Sequence, residues 1–246
     1  ALDFRLASER KLRNYFAGEG FIEAINLPFT SDAFNGCFPG LWQGPPAAVP
    51  LVNPLAKEDC AMRQSLLPGL LGNLRVNLAQ KTTSLHVYHL GKAFHCNGAG
   101  DYEEILCVGG LMHGPRALRG LRRKDEARLD FLACKGTVEG VLDLFGVCDS
   151  ISWSAGSSDF LHPGRAAQLQ HNDCPIGVLG QLHPDVSEQL EVPQVYVFEL
   201  DFEKLLESAP RQMAVRALAK FPALVRDFAL VVARDFAAHR IIGWID

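Results

Sequence analysis

The fold class that the sequence predicts is α+β, with a mainly antiparallel sheet, and three observations carry it. Strand-like runs at 166–170 and 176–182 flank His171-Asn172-Asp173-Cys174, the composition of a hairpin turn. Other candidate strand pairs are joined by hairpins or by one long helical segment, so the regular βαβ alternation of a doubly wound sheet is missing. No repeat of fixed period is visible.

Taken in order, Ser8 to Gly18 reads as a short amphipathic helix. Ser8 is its cap, Leu12, Tyr15 and Phe16 share one face, and Gly18 and Gly20 close it. Phe21 to Leu27 reads as a strand ended by Pro28, and the Gly- and Pro-rich stretch 36–50 as loop. Leu51 to Leu55 is a short strand running into a turn. Ser65 then caps a second helix with Pro68 in its first turn, and Leu67, Leu70, Leu71, Leu74 and Leu78 fall at helical spacing. Strands are expected at 85–90 and 105–112, and a third helix from Asp130 to Phe145 that buries Leu132, Val138, Val141, Leu142 and Phe145 and stops at Gly146. In the second half His183-Pro184-Asp185 opens a short helix. Val195 to Leu200 is a strand followed by a helix through Leu205 and Leu206. Phe228 to Val232 is a final strand and Ala237 to Ile245 a final helical turn or two.

Composition bounds the function classes. With 246 residues, 48% hydrophobic and 21% charged, the chain is a globular protein of one large domain or two modest ones, which excludes disorder, collagen and coiled coil. No apolar run approaches the roughly 20 residues of a membrane helix, and the opening Ala1-Leu2-Asp3-Phe4-Arg5 lacks the layout of a secretory signal. The net charge of −4 gives no global field for nucleic acid, so any such contact needs a local patch. The cysteines (Cys37, Cys60, Cys96, Cys107, Cys134, Cys148, Cys174) are odd in number, widely spaced and without Cys-x-x-Cys, which reads as reduced thiols of a cytoplasmic protein.

Six segments, in order, resemble one family. Asn53-Pro54-Leu55 followed by Met62-Arg63-Gln64-Ser65-Leu66-Leu67-Pro68-Gly69-Leu70-Leu71 is similar to a run in the C-terminal half of the bacterial phenylalanyl-tRNA synthetase β subunit. Tyr88-His89-Leu90-Gly91-Lys92-Ala93-Phe94 is similar to that family's Phe-Glu-Ile-Gly-Arg-x-Phe strand, with His89 in place of the usual Glu. His162-Pro163-Gly164-Arg165-Ala166-Ala167, Gly177 to Pro184, and Phe198-Glu199-Leu200-Asp201 follow. Phe221 to Ala229 resembles the opening of the family's ferredoxin-like anticodon-binding domain.

The resemblance implies a class II aminoacyl-tRNA synthetase-like antiparallel sheet flanked by helices. It gives a non-catalytic domain at 1–208, a linker at 209–218, and at 219–246 the incomplete start of the next domain, as expected of a piece of a longer subunit. It also implies the partners: a catalytic α subunit in an (αβ)2 assembly, and tRNA(Phe), in the cytoplasm and away from membranes. ATP and magnesium belong to the whole enzyme and are expected to bind elsewhere, with no cofactor in this segment. The alternative reading is a stand-alone synthetase-like module that binds or activates a small amino acid.

The residues speak to catalysis as well. Active class II sites place Arg over the ATP phosphates, whereas the corresponding segments here read Gly91-Lys92-Ala93-Phe94-His95 and Glu199-Leu200-Asp201-Phe202-Glu203-Lys204. Carboxylates there oppose a phosphate, so no catalytic residue is assigned. The plain reading of Glu199, Asp201 and Glu203 is a solvated strand edge and helix cap, and a paired-carboxylate site is the other. His86, His89, His95 and Cys96 invite a metal. Odd separation on a strand, however, turns His86 and His89 to opposite faces, so no metal ligand is assigned. Arg165 is expected to anchor the fold or a subunit contact through a carboxylate or backbone carbonyls. His162 and His183 receive no catalytic role. The surface candidate is the basic run Arg116, Arg119, Arg122, Arg123 and Lys124, with Arg128 beyond, which as a helix would align Arg116, Arg119 and Arg123 toward successive phosphates. It would contact tRNA or the α subunit, or else be a solvated loop.

Overall fold

A first helix, α1 (Leu2–Gly18), starts a full turn and more ahead of the expected Ser8. Ser8 lies inside it, its hydroxyl donating to the Phe4 carbonyl at 2.8 Å, so it is no cap. Leu12 and Phe16 are fully buried, as their spacing predicts. The helix ends where Gly20 takes φ +83°: the Gly20 and Phe21 amides donate back to the Ala17 and Phe16 carbonyls, the paired closure that a left-handed glycine permits.

The computed structural model describes residues 2–41, 47–54, 56–96, 101–115, 129–156, 158–210, 224–233, 236 and 241. The chain divides into two units, Ala1–Arg211 and Gln212–Asp246. In the first, β1 (Ile22–Glu23) is followed by β2 (Phe29–Thr30), α2 (Asp32–Cys37), β3 (Val49–Pro50), β4 (Ala61–Met62) and α3 (Leu67–Ala79). The long hairpin of β5 (Leu85–Cys96) and β6 (Tyr102–His113) comes next, then α4 (Phe131–Leu144) and β7 (Ile151–Ala155). The hairpin of β8 (Leu161–His171) and β9 (Cys174–Leu182), then α5 (Pro184–Gln189), β10 (Tyr196–Asp201) and α6 (Phe202–Ser208), complete it.

The large sheet runs β1-β5-β6-β10-β9-β8-β7, and β2-β4-β3 form a small one beside it. All pairings are antiparallel except β1 with β5, where Ile22 meets Val87. The β8–β9 turn is the predicted one: Asn172 and Asp173 hold φ +49° and +63°, the doubly left-handed turn that Asn and Asp tolerate. Asp130 caps α4 by accepting the Ala133 amide at 2.8 Å. Cys134, Val138, Val141 and Leu142 of α4 are buried, but Leu132 is 68% exposed. It lies about 160° around the helix from Cys134, a consequence of 100° per residue.

Three further strand expectations are not met as drawn. The strand expected over 21–27 is reduced to Ile22–Glu23, and the strand expected over 51–55 is displaced to Val49–Pro50. In the second unit, residues 224–233 are exposed and adopt no regular structure, so the expected strand at Phe228–Val232 is not formed. A strand needs a partner, and among the described residues none pairs with this one. The expected final helix at 237–245 lies outside the described residues, Ile241 apart. Among the described residues no helix is long and apolar enough to cross a membrane.

β10 is the central strand, and alternation along it divides the core. Tyr196, Phe198 and Leu200 face α1 and α4, where the Phe16 ring stacks on Tyr88 and Phe198 at centroid distances of 4.4 and 5.9 Å. Val197 turns the other way, to Leu67, Leu70, Leu71 and Leu74 of α3. Two adjacent glycines of β6 let both layers approach. A Cβ on Gly110 would lie 2.0 Å from the Phe198 ring, and one on Gly109, on the opposite face, 3.0 Å from Leu66.

Gly110→Ala is therefore expected to destabilise the first unit by more than about 2 kcal/mol, the cost of overpacking against a ring that cannot move. Gly72→Ala, exposed within α3 with nothing in reach of a new Cβ, should stabilise by about 0.5–1 kcal/mol. Urea denaturation of the two variants checks both signs.

Candidate functional site

The face of the sheet opposite α1 and α4 carries a buried polar cluster where β5, β6 and β10 meet the start of α3. Its members are Arg63, Ser65, His89, Cys107, Glu199 and Asp201, all largely withdrawn from water. The strand period brings Glu199 there, because Val197, Glu199 and Asp201 alternate away from the aromatic layer. α3 then lies over it.

Glu199 is 1% exposed and spends both oxygens on the start of that helix. Leu66 donates its amide to Oε1 at 2.6 Å, and the Ser65 hydroxyl donates to Oε2 at 2.8 Å. The assigned cap of α3 is Leu66 rather than Ser65, but Ser65 Oγ still accepts the Leu67 amide at 3.1 Å. A helix N-terminus offers free amides and a positive dipole end to an anion. In this fold the anion is the protein's own carboxylate. Burial pushes Glu199 up to about 7, against the Leu66 and Ser65 hydrogen bonds and the Arg63 charge, which pull it down.

Arg63 is the cation of the cluster. Its Nε donates to the Lys92 carbonyl at 2.9 Å, and its Nη1 to the Asn26 and Leu27 carbonyls at 3.1 and 3.3 Å. Burial lowers its affinity for the proton, with Glu199 and Cys107 opposing that effect. Gly91 leaves room for it: a Cβ there would lie 2.6 Å from His89 Nε2 and 2.7 Å from Arg63 Nη2. His89 is pushed down to about 4 by burial and then by Arg63, so it is a neutral imidazole at physiological pH. Burial, then Glu199 and Asp201, raise the Cys107 thiol well above its ordinary range, which leaves it protonated and unreactive.

The solvated reading of the carboxylates is corrected here for two of three. Glu199 and Asp201 are buried because β10 is central and covered on both faces. Asp201 does cap α6, accepting the Lys204 amide at 3.0 Å, and pairs with the Lys204 ammonium at 3.4 Å. Glu203 is the solvated one, 3.3 Å from Arg5. His86 and His89 do lie on opposite faces, with His86 beside the Phe21 ring. Among the described residues no three His, Cys, Asp or Glu converge as a metal would need.

Arg165 sits in a bulged stretch of β8, between Leu161 and Ala166, and its Nη1 donates to Gln181 Oε1 at 2.7 Å. That partner is a side-chain amide, not the expected carboxylate or backbone carbonyl. The ring nitrogens of His162 and His183 accept local amides, from Gly164 at 3.0 Å and Asp185 at 3.2 Å. Arg116, Arg119, Arg122, Arg123 and Lys124 lie outside the described residues. The residue that sequence reasoning passed over is Arg63. Its signal was a lone cation between an apolar strand and an apolar helix, which only a buried acceptor set can hold.

The cluster generates a pH dependence. The unfolded chain ionises Glu199 near 4.5, the folded chain near 7, so between those values the native state holds the extra proton. Stability contributed by this group is fully present below about 4.5 and lost as pH rises through about 7, a change of about 3 kcal/mol. Urea midpoints from pH 5 to 8 should fall more steeply for the native chain than for Glu199→Gln, and equal slopes would refute the assignment.

A family model described as the phenylalanyl tRNA synthetase beta chain CLM domain matches residues 1–202. The phenylalanine–tRNA ligase beta subunit of Geobacter sulfurreducens is 37% identical over 242 residues, 97% of this chain and 30% of the relative. That of Bacillus subtilis is 34% identical over 240 residues, 96% of this chain and 29% of the relative. The chain thus spans about 30% of the length of the curated relatives it matches. Among solved structures, a pyrrolysyl tRNA synthetase from Desulfitobacterium hafniense superposes with a TM-score of 0.60 at 15% identity, over 82% of this chain and 65% of that one, a likeness of fold alone. By the extent of the family match and the identity of these relatives, the chain belongs to the phenylalanyl-tRNA synthetase beta chain family.

Proposed function

We propose that the chain acts as the non-catalytic, class II-like part of a phenylalanine–tRNA ligase β subunit. It scaffolds a catalytic α subunit in an (αβ)2 assembly and orients tRNA(Phe), in the cytoplasm, while the α subunit binds ATP and magnesium and charges the tRNA. The observation that carries the reading is the buried carboxylate. With Glu199 seated on the Leu66 amide and the Ser65 hydroxyl, and Leu66 packed on Gly109, the start of α3 lies over this face among the described residues, with a carboxylate where a nucleotide phosphate would need a cation. A contribution that is positional needs no base or nucleophile, only a rigid surface.

The edge of the sheet supports the partner. Ile22, Ile25 and Leu27 expose apolar side chains, Ile25 to 88% and Leu27 to 74%, beside the two-residue edge strand β1. Apolar side chains grouped on an edge are what a partner subunit covers. For tRNA the support is the basic run from Arg116 to Lys124, on sequence alone.

The complete β subunit containing this chain should co-purify with the α subunit and restore tRNA charging. Alone, it should show no phenylalanine-dependent pyrophosphate exchange. Exchange by the β subunit alone would favour a self-sufficient module and overturn the reading. Reversing the charge of Arg119 and Arg123 should lower tRNA affinity about tenfold near 0.15 M salt or weaken assembly, and no change in either would remove the basic run from the proposal.

A further inference from the structure

Away from the buried polar cluster, a cavity of about 420 Å³ opens between α4 and β7, lined by Glu139, Gly140, Leu142, Asp143, Cys148 and Trp153. Gly146, at φ +66°, stops α4, and the short turn Cys148–Ser150 leads the chain back into β7, which sets Trp153 beside the helix. Leu142 is buried and forms the inner wall, while Glu139, Asp143 and Cys148 are exposed to solvent. The cavity is therefore apolar within and acidic at its mouth.

One end of it already holds a cation. Lys135 Nζ lies 4.6 Å from the centroid of the Trp153 ring, and the same ammonium pairs with Glu139. An alkyl ammonium thus rests between an indole face and a carboxylate, the two surfaces that attract it. One helical turn further on, Asp143 makes no ion pair among the described residues. Burial, and then Asp143, Asp149 and Glu139, raise the Cys148 thiol, so three carboxylates share this neighbourhood around a neutral sulfur. Such a charge distribution opposes an anion. Among the described residues no three His, Cys, Asp or Glu converge as a metal needs, which leaves an organic cation.

Spacing narrows the class. Glu139 and Asp143 stand one turn apart on α4, about 6 Å, and four methylenes hold two ammonium groups at that separation. A carboxylate accepts at both oxygens, so Glu139 can keep Lys135 and take a second ammonium. We propose that this cavity binds a linear alkyl diamine of the class of 1,4-diaminobutane, with one ammonium on Asp143, the other on Glu139, and the methylene stem against Trp153 and Leu142. The site needs no partner subunit and stands apart from the scaffold reading.

Calorimetric titration of 1,4-diaminobutane into the complete β subunit, at neutral pH and about 0.15 M salt, tests it. The native subunit should give a saturable heat. Asp143→Asn, a substitution at an exposed position, should raise the Kd about threefold or more, the scale of an exposed ion pair. Trp153→Leu should raise it by a similar factor, through loss of the π face. Lys135→Met, which keeps the stem and removes the competing charge, should lower it. n-Butylamine, with the same stem and one charge, should bind about threefold more weakly or worse. Magnesium at matched ionic strength should not displace the diamine. Absence of saturable heat with the native subunit overturns the proposal, and so does an unchanged Kd for Asp143→Asn or for n-butylamine. Displacement by magnesium overturns it as well, since the carboxylates then act only as an acidic surface. If Trp153→Leu does not fold, Asp143→Asn and n-butylamine decide.

Discussion

A carboxylate buried on a central strand has to find donors, and the way Glu199 finds them decides how half of this domain is built. Its oxygens take the Leu66 amide and the Ser65 hydroxyl, so α3 starts directly over β10 and its leucines fall onto Val87, Leu111 and Val197. The approach is close enough to demand Gly109 beneath Leu66. Arg63, two residues before Ser65, adds its positive charge to the cluster and ties the chain at 26–28 to it through the Asn26, Leu27 and Pro28 carbonyls. Removing the carboxylate from water costs several kcal/mol in isolation. That cost is tolerable here because each group it recruits also fixes a piece of main chain.

The opposite face is organised by shape rather than charge. Phe16, Tyr88, Phe198 and Phe21 pack against one another, stacked or edge-on, and Gly110 leaves room for the tip of the Phe198 ring against β6. The two faces share β10, whose alternate residues serve them in turn. A displacement of that strand by one residue would put Glu199 among the rings and Phe198 against Ser65, so register is fixed by both chemistries at once.

This division explains which parts were legible in the sequence. Helix α4 was readable because Asp130, the apolar spacing and Gly146 are all local, and the β8–β9 turn because Asn-Asp carries its own backbone preference. Leu132 reads as core by its apolar character, but its phase on the helix turns it to solvent. The strand over 21–27 was overdrawn for a different reason. Its β-branched residues favour extension, but the carbonyls that would pair with a neighbour are claimed by a guanidinium some forty positions later. No local pattern encodes that.

The burial of Glu199 was the hardest feature to read, because an acidic residue near a strand end is ordinarily solvated. What overrules the expectation is topology: among the described residues β10 is the last strand in sequence, and yet it lies between β6 and β9 at the middle of the sheet. A late-entering central strand is covered on both faces whatever its composition. The sequence does carry a trace of this, since Glu199 is the one polar residue within the apolar run Val195-Tyr196-Val197-Phe198-Glu199-Leu200, which has no regular alternation of a half-exposed edge strand. A run buried on both sides places the carboxylate inside, where only donors such as the Leu66 amide and the Ser65 hydroxyl make its burial tolerable.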